Sequence, residues 1–262
     1  AILGILGPHK PTDAAKPQLR LEVARDWLAW ASKPIGRKPT RQAMLAQVSG
    51  RFERARQELA GIVDELVKER PVREQAQWDA ANSFLTQARV VNAFSPTLAR
   101  GQYVRAAKEL RRVASEHPDH PQIGTIPQML WTISQELEGR GYFEEAILVW
   151  QRLKIHYPME DVAQQAALKI AQTYHQRLER PLRAAEAYQE LNFARGGSDQ
   201  ELQNALFQIG SELKSQKRWV EALHVLEMFV DSFPRHPQAG QALTTVGEIH
   251  QTNEAWEDAI AA

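Results

Sequence analysis

Between residues 40 and 70 the side chains Leu45, Val48, Phe52, Ala55, Leu59, Ile62 and Leu66 recur at spacings of 3, 4, 3, 4, 3 and 4. That is a heptad seam, the stripe along which one helix lies against another. It predicts a long helix over Thr40–Arg70, ended by Pro71, which cannot continue it. Ala81, Phe84, Ala88 and Val91 carry the same spacing on a following helix from Val72 to about Asn92. Only three heptads are present, so an antiparallel hairpin within the chain is the simplest reading and an intermolecular coiled coil the other; the hairpin predicts a monomer. A shorter helix, Leu19–Ala31, precedes it, with Trp27 and Trp30 on or near its apolar side, and Pro34–Pro39 forms a loop between them.

Further along, the pattern repeats itself. Tyr103, Phe143, Trp219 and Trp256 each stand three residues before an alanine: Ala106, Ala146, Ala222 and Ala259. A fifth copy keeps Ala184 but has Pro181 in the aromatic place. The alanines are separated by 40, 38, 38 and 37 residues. Four residues after the alanine come Leu110, Trp150, Tyr188 and Leu226, and seven after it Val113, Leu153, Leu191 and Phe229. These positions share one face of a helix. Twelve after the alanine come Pro118, Pro158, Gly196 and Pro234, residues that stop a helix or cap it in the left-handed region.

A second helix precedes each alanine. About twelve residues upstream it carries a small residue, Ser134, Ala171, Gly210 or Gly247, flanked by large apolar ones such as Leu206, Ile209 and Leu213. A small residue facing the alanine of the next helix lets two axes approach closely, and the large neighbours fill the remaining gap. The last copy reaches Ala262 just inside its second helix, so a continuation of the chain or a partner is expected to complete it.

The stretch from about Gln75 onward resembles tetratricopeptide repeats: a small residue on helix A, aromatic–x–x–Ala opening helix B, and Pro after helix B, in five copies over about 70% of the chain. The period exceeds the family's usual 34 residues by three to six. The resemblance implies an all-α fold, a right-handed α-solenoid of antiparallel helix pairs, here with an N-terminal helical hairpin. Residues 1–18 then form an arm or linker, 19–74 the hairpin region, and 75–262 an array of about five repeats, the last incomplete. Loop sequences such as Ile155-His156-Tyr157-Pro158 also resemble bacterial envelope repeat proteins, the outer-membrane-assembly lipoproteins among them, which leans towards the periplasm or a membrane-anchored location.

In that family, helix A lines a concave groove with its positions 2, 5, 9 and 12. The resemblance therefore places Gln128, Gln165, Asn204 and Gln241 at position 2, Trp131, Leu168, Phe207 and Thr244 at position 5, and Gln135, Gln172, Ser211 and Glu248 at position 9. Primary amides both donate and accept hydrogen bonds, as an extended peptide requires. Trp131 and Phe207 would be anchors if exposed, or packing between repeats if not. The carboxylate clamp of chaperone adaptors is not reproduced, because Lys214 stands nearly alone among Gln, Trp, Leu and Phe.

Charge changes the picture by exclusion. Lys plus Arg and Asp plus Glu each number 32, so no basic surplus marks a nucleic-acid partner. Arg105, Lys108, Arg111 and Arg112, interrupted by Glu109, read as a solvated helix face. The chain has no cysteine, which removes disulfides and thiolate chemistry. No run reaches the roughly 18 apolar residues of a membrane span. The apolar start Ala1–Gly7, followed by a Pro-bearing stretch from Pro8 to Pro17, reads as an arm on the first helices or the tail of an anchor.

No phosphate-cradling glycine loop, HExxH or GxSxG motif is found. His117 and His120 lie in a Pro-rich turn that recurs with Phe233 and His236, which points to turn packing over a metal. The expectation is a non-enzymatic scaffold with no cofactor and no small-molecule substrate, binding a protein or peptide partner. A permanent structural subunit of a larger envelope assembly is the alternative, and a helical-solenoid enzyme a minor one.

Overall fold

The structure is a computed structural model that describes residues 17–35, 40–65, 68–194, 196 and 199–261, with backbone alone over 253–261. The segment Ala1–Gly7 and the seam residue Leu66 lie outside it. The protein is all-α: among the described residues there are eleven α-helices and no strand. They are α1 (Pro17–Ala31), α2 (Arg41–Glu65), α3 (Arg70–Val91), α4 (Pro96–Glu116), α5 (Ile126–Glu138), α6 (Phe143–His156), α7 (Asp161–Gln176), α8 (Pro181–Ala194), α9 (Gln200–Ser215), α10 (Trp219–Ser232) and α11 (Ala239–Ala261). The chain forms two compact units, Ala1–Val149 and Trp150–Ala262, which divide within α6.

In the first unit the heptad seam is satisfied inside the chain. Val48, Phe52, Ala55, Leu59 and Ile62 of α2 are all buried. Gln87 donates to Ser49 at 3.5 Å and Arg56 to Ser83 at 3.4 Å, so α2 and α3 run antiparallel. α1 joins them: Arg20 meets Glu65 at 2.7 Å, and Leu21 and Ala24 pack with Leu59, Ile62, Val72 and Ala76. Trp27 is buried and Trp30 half-buried, their rings edge to face at 5.3 Å. Pro71 does not end α2. It sits in the first turn of α3, where a missing N–H leaves nothing unpaired.

The repeat has a physical basis in its turns. Gly141, Glu179 and Lys217 have φ of 79°, 51° and 61°, and each stands five residues before the repeat alanine. In two of them the cap is a Schellman motif: Gly141 and Lys217 donate three residues back, to Glu138 and Lys214, while Tyr142 and Arg218 donate five back, to Leu137 and Leu213. The next helix then starts at Phe143, Pro181 or Trp219. Pro181 can stand in the aromatic place because in these three copies that place is the first helical residue. After each helix, His117, Tyr157 and Phe233 donate to Val113, Leu153 and Phe229 at 2.8–2.9 Å, just before the Pro. Gly196 has φ 88°, the left-handed value expected of a glycine in the proline position.

The small residue on the first helix does permit close approach, though its neighbour is not the alanine. A Cβ on Gly210 would come within 2.6 and 2.7 Å of the Leu226 side chain, four residues past Ala222. The last copy departs from the pattern. Gly247 is exposed, and Ala239–Ala261 is one continuous helix, so the final aromatic–x–x–Ala lies on the same helix as Gly247. No Gly or Pro occurs between Glu248 and Ala255, and no residue there leaves the helix for the left-handed region.

Candidate partner-binding faces

Gln128 on α5, Gln165 on α7, Asn204 on α9 and Gln241 on α11 are all exposed. At position 9, Gln135 and Glu248 are exposed and Gln172 and Ser211 half-buried. Position 5 behaves differently. Thr244 is exposed and Leu168 half-buried, but Trp131 and Phe207 are each only 8% exposed. The Phe207 ring lies 5.5 Å from that of Phe229 in the core of the second unit. The two aromatics therefore supply packing and are not offered as anchors: with large apolar neighbours on both sides, their area is worth more in the core than at the surface.

In the second unit, cross-links set like helices side by side. His175 of α7 meets Glu212 of α9 at 2.8 Å, and Lys214 of α9 meets Glu248 of α11 at 2.5 Å. Lys154 of α6 meets Glu190 of α8 at 2.8 Å, and Gln189 of α8 donates to Ser232 of α10. The faces carrying Gln165, Asn204 and Gln241 thus belong to three adjacent helices. Lys214 has a carboxylate partner, so it does not stand ready for an incoming anion. Gln128, Trp131 and Gln135 belong to the first unit.

The electrostatic centre of the first unit joins α3, α4 and α5. Glu136 accepts from Arg89 at 2.6 and 3.0 Å and from the Tyr103 hydroxyl. Burial works to raise the Glu136 carboxyl, yet the hydrogen bonds from Arg89 and Tyr103 outweigh it and hold the group below its ordinary value. Burial, then the bond to Glu136, pushes the Tyr103 phenol well above its own. This is a structural tie that uses the repeat's aromatic position.

His117 and His120 are likewise absorbed by structure. The His120 ring stacks on Trp78 at 5.2 Å and its Nδ1 accepts the Gln122 N–H at 3.3 Å. His236 repeats this with Gln238 at 3.2 Å, its ring 5.1 Å from Phe229. His117 bonds Gln77 and sits 3.3 Å from Glu74. Of the basic run, Arg105, Lys108 and Arg112 are exposed, Arg112 pairing with Glu109 and Glu116.

A second face was not anticipated from the sequence. An open cleft of about 320 Å³ runs between α7 and α8 and reaches the end of α6. Its floor includes Ala163, Ala167, Ile170 and Ala187, and its rim the pairs Lys154–Glu190 and Arg183–Glu186. A signal for it was available. Counting eight and four residues before the small residue, α5 has Ile126 and Leu130, α9 has Leu202 and Leu206, and α7 has Ala163 and Ala167. Both positions are alanine in this copy, and both line the cleft. Compared with known proteins, the chain matches no family model and no curated sequence.

Proposed function

We propose that the chain is a tetratricopeptide-like solenoid that serves as a protein–protein interaction scaffold, without catalysis of its own, recognising an extended peptide or a partner's helix along its first-helix faces. The observation that carries this reading is the exposure of a primary amide at the same register on three first helices of the second unit, Gln165, Asn204 and Gln241; in the first unit Gln128 holds that register and is exposed too. An amide at each step offers both N–H donors and a carbonyl acceptor, which can pair with the acceptors and donors of a peptide backbone. The recurring left-handed turn and the ties between α7, α9 and α11 support the solenoid half of the proposal. With Trp131 and Phe207 buried, affinity on this face rests on polar pairing, which favours an exchangeable partner over a permanent one.

A photoreactive amino acid placed at Asn204, and in a second protein at the exposed His224 of α10, tests the face directly in the organism that makes the chain. Protein adducts from position 204 and none from 224 are expected. Adducts from 224 alone would place the partner on the other face.

A further inference from the structure

The turn that joins α4 to α5 is fastened to α3 by two buried histidines. His117, His120 and Glu74 are 6%, 5% and 9% exposed. The His120 ring stacks on Trp78 of α3, and its Nδ1 accepts the Gln122 N–H at 3.3 Å. A ring nitrogen that accepts a hydrogen bond carries no proton, so the bond to Gln122 belongs to neutral His120. The ring nitrogens of His117 instead face oxygens: Gln77 Oε1 and, at 3.3 Å, Glu74 Oε1. Asp119 also reaches α3, 3.6 Å from Arg70, but both side chains are largely exposed and that pair adds little. We infer that the turn is an acid-released latch: neutral His120 pins residues 118–125 ahead of α5, and a proton on its Nδ1 frees them.

The imidazole supplies attachment, while the backbone turn stands without it. Glu160 holds the His120 place in the next copy, and its N–H still bonds the Tyr157 carbonyl at 3.0 Å, as His120 bonds that of His117 at 3.1 Å. The groups around His120 decide the direction of the response. Burial holds the imidazole below its ordinary 6.5; His117 acts the same way, and Glu74 and Asp79 of α3 act against it. Asp79 is engaged by Arg25 of α1 at 2.7 Å, and Glu116, at the end of α4, accepts from Gln77 at 3.4 Å. The contribution of neutral His120 is therefore complete above pH 6.5 and is lost as the pH falls through the folded value. Glu74 stays ionised over that range, because the bond from Arg70 at 2.5 Å holds it below its ordinary 4.5.

Hydrogen-exchange mass spectrometry of the 262-residue chain, with rates corrected for the intrinsic effect of pH, reads the latch. Between pH 7.5 and pH 5, protection of a peptide covering residues 118–125 is expected to fall about tenfold, while peptides from α9 keep theirs. His120→Gln stays neutral and offers an amide oxygen to the Gln122 N–H, so its protection should change by less than about twofold. A fall spread equally over α9, or an equal fall in His120→Gln, overturns the latch. Should that variant fail to fold, an NMR titration of the native chain decides. The Gln122 amide and the His120 ring are expected to shift with one midpoint below 6.5. A Gln122 amide that does not respond between pH 7.5 and pH 5 overturns the inference.

Discussion

Glu136 shows how a repeat position can be diverted to a local task. Tyr103 holds the aromatic place of its copy, yet its hydroxyl reaches a carboxylate on α5 that Arg89 also grips. Replacing Glu136 with Gln keeps the shape and removes the charge-assisted bonds, at an expected cost of about 1–2 kcal/mol at pH 7. The pH dependence follows from the direction of the shift. A carboxyl held below its ordinary 4.5 in the folded state contributes stability above that pH and loses it as the pH falls through the folded value. Urea titrations should therefore show the gap between the native chain and Glu136→Gln narrowing from pH 7 to pH 3. A gap independent of pH would mean that the carboxylate charge plays no part. The periodicity revealed Tyr103 as an apolar position, but its hydroxyl's partner is 33 residues away and left no local mark.

At the scale of helices, the sequence was most legible where the requirement is short-range. Heptad spacing in α2, a left-handed glycine at Gly196 and a proline two residues past Glu116, His156 and Ser232 all depend on backbone geometry that adjacent residues declare. The left-handed position five before the alanine was illegible because Glu179 and Lys217 hold it without glycine, forced there by the helices on either side. Glycines in the same register then separate by context. Gly210→Ala drives a methyl into Leu226 and should destabilise by about 1–3 kcal/mol. Gly247→Ala meets nothing within 4 Å and should stabilise α11 by up to about 1 kcal/mol through helix propensity. Thermal denaturation of the two variants gives opposite shifts. Equal shifts would mean that the approach of α9 to α10 is looser than the close contact at Gly210.

For the whole molecule, sequence and structure agree on an all-α chain of recurring helix pairs, and they part over which side chains are available to a partner. The amides were readable because a polar residue at a fixed register is exposed almost by default. Trp131 and Phe207 were not, since the same spacing serves groove and core, and burial is decided by neighbours on other helices. The α7–α8 cleft escaped notice because the alanines among its lining residues read as ordinary helix residues in the sequence. The central claim, recognition through the amides, is tested most directly by titrating the partner caught at Asn204 against the native chain and against Gln165→Ala, Asn204→Ala and Gln241→Ala combined. All three side chains are exposed, so melting temperature should hardly change. The account predicts an affinity loss of at least tenfold, from about 0.5–1.5 kcal/mol per lost hydrogen bond. An unchanged affinity in a folded triple variant would contradict it.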